Sequence, residues 1–178
     1  LIVDDDILDI KVTSRLLEDY LGNKDFINSL TTKEPNIVKK IIDEIYPYLD
    51  SIGLTGLGET FLYPHMLETV KYIKSKKKSI IITVSTNAHF KGYKEKVEPV
   101  LPYIDNIQFS IDGIGDTYDQ IRQGASFAEV NDNIQFTIDK GKDVTFMLNC
   151  VVVPENHMQM KDIVEYAHQQ KIDYVNFN

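Results

Sequence analysis

Apolar positions along this chain recur with two alternating spacings. Strand-length apolar runs begin near Ile52, Ile80, Ile107, Val144 and Asp173. Between them the apolar residues fall at helical spacing: Leu67, Val70 and Ile73; Val97, Leu101 and Ile104; Phe127, Val130, Ile134 and Ile138; Ile163, Val164 and Ala167. The unit repeats about every 28 residues, longer once, which suits a βαβ unit. Strands alternating with helices predict a parallel sheet with right-handed crossovers. Ahead of this array, Lys24 to Thr32 reads as a strand with Phe26, Ile27 and Leu30 apolar. Asn36 then caps a helix carrying Ile37, Val38, Ile41, Ile42 and Ile45. Residues 1–22 read as acidic and then helical, on Leu8, Val12, Leu16 and Tyr20, with Gly22 as the stop.

Polar residues punctuate the strand ends. Thr86 and Asn87 close SIIITVSTNA, and Ser110 and Asp112 close NIQFSIDG. Asn149 lies within VTFMLNCVVV, and Asn176 and Asn178 close DYVNFN. After the run Ile52–Leu54 come Gly56, Gly58 and Glu59, where two glycines let the backbone turn sharply beside a ligand. Each of these is common turn chemistry taken singly. Their recurrence at the same height of successive strands is what a barrel-mouth site needs, because ligands of parallel α/β folds bind at the carboxyl ends of the strands. A carboxylate such as Glu59 at that place can pair with an ammonium group. Periodicity alone does not separate an open doubly wound sheet from a barrel or partial barrel.

Composition narrows the class. The 178 residues suffice for one domain with a substantial core. Hydrophobic residues at 43% and charged residues at 26% describe an ordinary soluble globular chain. The net charge of −8 argues against an obligate nucleic-acid binder. No apolar run approaches a membrane span, and no secretory leader is present. The single cysteine, Cys150, cannot form an internal disulfide, which favours a reducing compartment, the cytoplasm. The four histidines, His65, His89, His157 and His168, are scattered and offer no metal-ligand pair. The opening LIVDDD is superficially like the acidic pocket of a receiver domain, but nothing downstream supplies a matching layout, and it reads as a solvated helix start. A start at Leu1 and a last strand at 173–178 suggest part of a longer product.

From about Phe26 onward the chain resembles the radical S-adenosylmethionine (SAM) superfamily. GLGETFLYP is similar to the segment after that family's second strand, STN to the end of its third and SIDG to the end of its fourth. YDQIRQGASFAEVNDNI resembles the following helix of peptide-modifying and molybdopterin-precursor members. The resemblance implies an α/β fold, a partial (β/α)6 TIM-like barrel with parallel strands, spanning 23–178 and continuing beyond it, with 1–22 as a helical extension. It implies SAM and a [4Fe-4S] cluster as cofactors, and reductive cleavage of SAM to a 5′-deoxyadenosyl radical that abstracts hydrogen. The implied partners are a small-molecule or peptide substrate and an electron donor such as flavodoxin or ferredoxin, with neither nucleic acid nor membrane. By the same resemblance, Glu59 and the Gly56–Gly58 backbone take the methionine ammonium, and Ser110 and Asp112 lie near the ribose or the carboxylate. Arg122 clamps the carboxylate, Thr86 and Asn87 line the site, Asn149 contacts ribose or substrate, and Val175, Asn176 and Phe177 flank adenine by backbone contacts.

One departure is large. The family holds its cluster by CxxxCxxC after the first strand, and such a cluster takes three or four thiolates. This sequence offers only Cys150, on a later strand, where a small core residue is the simpler reading. The resemblance therefore implies a cysteine-bearing segment, missing here, between about Leu30 and Asn36. The alternative is a degenerate, cluster-free barrel that binds a nucleotide-like ligand or serves as a scaffold.

Overall fold

A computed structural model describes the backbone of residues 8–13 and 29–32, and the chain in full over 35–55 and 58–178. Two units are distinguished. The first ends at Val84 and includes Tyr103–Asp105; the second comprises Ser85–Pro102 and Asn106–Asn178.

In the first unit the strands run in the order β2 (Ser29–Thr32), β1 (Leu8–Thr13), β3 (Ser51–Thr55), β4 (Ile81–Thr86). β1 is antiparallel to both of its neighbours, with Ile10 opposite Leu30 and Leu54. β3 and β4 are parallel, with Ile52 beside Ile82 and Leu54 beside Val84. The expected helix is thus a strand over Leu8–Thr13. The reason is in the sequence: LDIKVT alternates apolar and polar at every step, a strand period that the wider Leu8, Val12, Leu16 spacing masks. The remainder of the expected helix, and residues 33–34 within the stretch Leu30 to Asn36 where a missing segment is expected, lie outside the described residues. Helix α1 (Pro35–Ile45) opens on Pro35, one residue before the expected cap, because a proline's missing N–H costs nothing in the first turn. It buries Val38 and Ile42, while α2 (Met66–Lys76) buries Met66, Thr69, Val70 and Ile73.

The second unit takes up the chain at Ser85 and carries β5 (Asn106–Ser110), β6 (Thr145–Cys150) and β7 (Tyr174–Phe177), all parallel. Its helices are α3 (Tyr93–Val97), α4 (Asp116–Ile121), α5 (Phe127–Lys140) and α6 (Met160–Gln169). The apolar pattern expected to be helical from Val97 to Ile104 is interrupted. α3 stops at Val97 and only a short 3-10 turn, Leu101–Tyr103, follows, since Pro99 and Pro102 cannot donate helix hydrogen bonds. One face of β5 and β6 is apolar and buried: Ile107 and Phe109, then Phe146, Leu148 and Cys150. Phe109 stacks on Phe146 at 6.1 Å between ring centroids. Val130 and Ile134 of α5 and Ile163 and Ala167 of α6 are buried as well. Each large apolar side chain so removed from water contributes about 1.5–3 kcal/mol. The opposite face of β5 and β6 is half-exposed and polar but for Met147. This α/β arrangement, with parallel strands and intervening helices, is that of a partial TIM-like barrel. Among the described residues no helix is long and apolar enough to cross a membrane.

Candidate functional site

The second unit gathers polar groups where its strands end. At the exit of β4, Thr86 Oγ1 accepts the N–H of Ala88 at 3.0 Å and Asn87 Oδ1 accepts that of His89 at 2.8 Å. These two side chains replace the ladder partners that the strand has just lost. Ala88 sits at φ 55°, a left-handed conformation that a side chain rarely adopts. It is held there from behind: Asn133 Nδ2 of α5 donates to its carbonyl at 2.9 Å, Thr137 Oγ1 donates to the Asn133 carbonyl, and Tyr93 bonds Thr137. The turn is therefore built by buried, satisfied polar groups, and Asn87 is presented at its edge.

At the exit of β5, Asp112 is the hub. Its Oδ2 accepts both Nε and Nη2 of Arg122, at 2.8 and 2.7 Å, and its Oδ1 accepts the N–H of Val151 at 2.8 Å. Its carbonyl accepts Asn156 Nδ2 at 2.9 Å. Asn156 also donates to the Val151 carbonyl and accepts from Val153 N–H, so one buried amide ties the exit of β6 to that of β5. Gln159 fastens the next stretch through its side-chain amide, whose Oε1 accepts the N–H of Ile114 and whose Nε2 donates to the Ile114 carbonyl. Gly113 is required here, because a Cβ on it would meet the Tyr118 nitrogen at 3.0 Å.

Ser110, Asn149 and Asn176 are cross-strand neighbours, Ser110 beside Asn149 and Asn149 beside Asn176. Asn176 Nδ2 donates to Asn149 Oδ1 at 2.9 Å. One step down the same face, Ser85 donates to Gln108 Oε1, and Gln108 Nε2 reaches Met147 Sδ at 3.7 Å. Val175 and Phe177 are half-buried, on a strand whose outer edge meets no further strand among the described residues. Near the Asp112–Arg122 pair lies a cavity of about 250 Å³ lined by Asn87, His89, Tyr118, Arg122, Gln123, Gly124 and Ala125. Gly124 turns the chain there at φ 90°.

Of the expected site residues, Asp112 and Arg122 are in direct contact, Asn87 and Arg122 share a cavity, and Asn149 and Asn176 are paired. Glu59 belongs to the first unit. It is 5% exposed, and its side chain accepts the N–H of Phe61 at 3.4 Å, capping the short turn Thr60–Leu62. Gly58 is half-buried beside it, and Gly56 lies outside the described residues. Tyr118, Asn156 and Gln159 were passed over in the sequence. A tyrosine in a helix reads as core, and a loop amide gives no sign of a partner that lies 44 or 45 positions away.

Cys150 is buried in the core and its thiol is pushed up to about 11, first by burial and then by the Asp112 charge. The sign follows. A thiol whose proton is held more tightly in the folded chain than at its ordinary value of 9.0 stabilises fully below that value, and the contribution is lost as pH rises through about 11. Stability measured by urea unfolding is expected to fall between pH 9 and 11, and to fall less in Cys150→Ala. At neutral pH the native thiol should resist Ellman's reagent until the protein unfolds.

The parallel strands of the second unit thus carry polar side chains at their carboxyl ends, and Asn87 and Arg122 line a small cavity beside them. The chain belongs to the radical SAM superfamily, whose sequence profile matches residues 22–167. Two curated relatives, each named UPF0026 protein and from two strains of Helicobacter pylori, are 30% identical over 79 and 77 residues, 44% and 43% of this chain. The aligned stretch is 25% of each relative's length. Among solved structures, SuiB of Streptococcus suis matches with a TM-score of 0.64 at 19% identity, over 81% of this chain and 33% of its own. The same protein bound to S-adenosylmethionine, and bound to the precursor peptide SuiA, matches at a TM-score of 0.65 and 18% identity, over 82% of this chain. The chain thus spans about a third of the SuiB chain it resembles.

The superfamily uses SAM and a [4Fe-4S] cluster, and the residues here fit the two unequally. A zwitterion with a ribose suits a mouth lined by amides, a hydroxyl and a guanidinium. The cluster does not fit. The sequence contains one cysteine, a buried and protonated one, and among the described residues no three His, Cys, Asp or Glu side chains come together as a metal site.

Proposed function

We propose that this chain is the SAM-holding barrel of a radical SAM enzyme that modifies a peptide. The observation that carries the reading is the polar side chain at the end of β4, of β5 and of β6, within the stretch matched to the superfamily. SAM, when bound, would supply the adenosyl carbon that abstracts hydrogen from the substrate, once one electron from the donor had broken its bond to sulfur and released methionine. The chain's own residues bind and orient it. Glu59 and the Gly56–Gly58 backbone take the methionine ammonium, and Arg122 takes the carboxylate. Ser110 and Asn149 face the ribose, Thr86 and Asn87 shape the wall, and the main chain of Val175–Phe177 receives the adenine. Asp112 serves this site by holding Arg122, since hydrogen bonds to this chain already occupy both its carboxylate oxygens. A peptide as substrate is supported by the structural likeness to SuiB, which has been solved with its precursor peptide. A flavodoxin or ferredoxin as electron donor and a cytoplasmic location belong to the same reading. So do the division into an extension over 1–22 and a core over 23–178, and cluster thiolates that this sequence does not contain.

Calorimetry on the intact gene product, reconstituted anaerobically with iron and sulfide, tests the proposal. SAM is expected to bind, and Glu59→Gln to weaken it about tenfold, the scale of about 1.5 kcal/mol for a hydrogen bond to a charged group. Absence of SAM binding would refute the assignment. SAM binding without any bound iron would instead favour the cluster-free ligand-binding barrel.

A further inference from the structure

The loop that follows β6, residues 151–159, is fixed by its own amides. Buried Asn156 bonds the carbonyls of Asp112 and Val151 and the N–H of Val153, and Gln159 clasps Ile114 of the neighbouring loop. His157 Nδ1 lies 2.7 Å from the Pro154 carbonyl, which closes the turn from within. A loop so tied holds its outward side chains in place, and several of them are apolar. Met158 is 80% exposed and Val151 52%, and Met160, which opens α6, is exposed as well. Exposed apolar side chains gathered on one loop and rimmed by polar ones mark an interaction surface. Methionine suits that use, since its unbranched chain adapts to what it meets.

The charges around them are one-sided. Glu155 stands in the same loop, Asp116 two residues beyond Ile114, and Asp162 in the first turn of α6. All three are exposed, and none makes an ion pair or a side-chain hydrogen bond among the described residues. Elsewhere the surface carboxylates Asp43, Asp132 and Glu98 each hold a lysine. The cation nearest in sequence, Lys161, is taken by Glu165 at 3.3 Å. Apolar side chains bordered by carboxylates without counter-ions, on a chain of net charge −8, complement a partner that is both apolar and basic.

We infer that the 151–160 stretch and neighbouring Asp116 dock the substrate peptide, through a segment of it that joins an apolar side chain to lysine or arginine. The inference rests on the peptide reading above and narrows it to a class of sequence. Met158 and Val151 take the apolar side chain, and Glu155, Asp116 and Asp162 the cation. The surface lies at the exits of β5 and β6, so a peptide held there can lay its next residues over the strand ends. A second copy of this chain suits the face poorly, because a two-fold pairing would bring its carboxylates against their own kind.

Fluorescence anisotropy on the intact gene product tests this with three labelled synthetic peptides of equal length, built of lysine and leucine, of lysine and serine, and of glutamate and leucine. The first is expected to bind about tenfold more tightly than either of the others, and more weakly as salt rises. Met158→Ser should weaken it about fivefold to tenfold, and Glu155→Gln combined with Asp116→Asn about threefold to tenfold. Melting temperature and SAM affinity should stay unchanged in both. A control pair on exposed positions of α1, Ile37→Ser with Glu44→Gln, should leave peptide binding as it is. An equal loss in the control would overturn the inference, since any acidic surface would then do. So would equal binding of the lysine–serine peptide, or no binding of the lysine–leucine peptide by a wild type that binds SAM. A wild-type dimer that light scattering shows dissociated by Met158→Ser would give the face to a second copy and overturn it too. A wild type that binds the peptide but not SAM would refute the broader proposal while upholding the docking surface.

Discussion

Asp112→Ala is expected to lower the free energy of unfolding by about 2–3 kcal/mol and the melting temperature by roughly 5–10 °C for a chain of this size. The change removes an acceptor for three N–H groups at once: Nε and Nη2 of Arg122 and the backbone N–H of Val151. Losing one partner of a fully buried ion pair costs more, but the Arg122 side chain is 29% exposed and can turn to water. Asp112→Asn should cost less than half as much, because an amide oxygen still accepts from Val151. Urea unfolding of the three proteins measures this. Equal stability of Asp112→Ala and wild type would mean that the exits of β5 and β6 hold together without the carboxylate.

The second large effect is on ligand binding. Arg122→Ala is expected to weaken SAM binding about 10- to 100-fold, the equivalent of about 1.5–3 kcal/mol for hydrogen bonds to a charged group. Arg122→Lys should recover only part of the loss. An ammonium keeps the charge but cannot satisfy Asp112 on one edge and a ligand on another, which the planar guanidinium does. Calorimetry decides it. Unchanged affinity in both variants would remove Arg122 from the ligand site and leave it a surface partner of Asp112. Measured together with Asp112→Ala, the effects should be non-additive if, as proposed, the aspartate acts on SAM through the arginine.

Much of the fold was legible because the chain is locally consistent. β3, β4, β5, β6 and β7 lie where apolar runs mark strands, and α2, α5 and α6 lie where the period lengthens. β1 was misread because four residues at helical spacing outweighed a shorter alternation, and nothing local announces an antiparallel partner 40 residues later. The polar strand ends were legible as a set, but not their division of labour. Thr86 and Asn87 build the turn that exposes one of them, and Asp112 holds Arg122 across a loop and a helix, ten positions along the chain. Distance along the sequence hides such pairs.

The strand β7 has a bearing on how this polypeptide behaves in the test tube. Its residues Tyr174–Phe177 carry no charge and no proline, and Tyr174 is 58% exposed. With no further strand beside it among the described residues, an outer strand of that kind offers amide and carbonyl groups as a template for another chain, and it carries no lysine or proline of the sort that keeps sheet edges apart. Preparations of these 178 residues are therefore prone to self-association through that edge, and a lysine at Tyr174 is the substitution to try first for solubility.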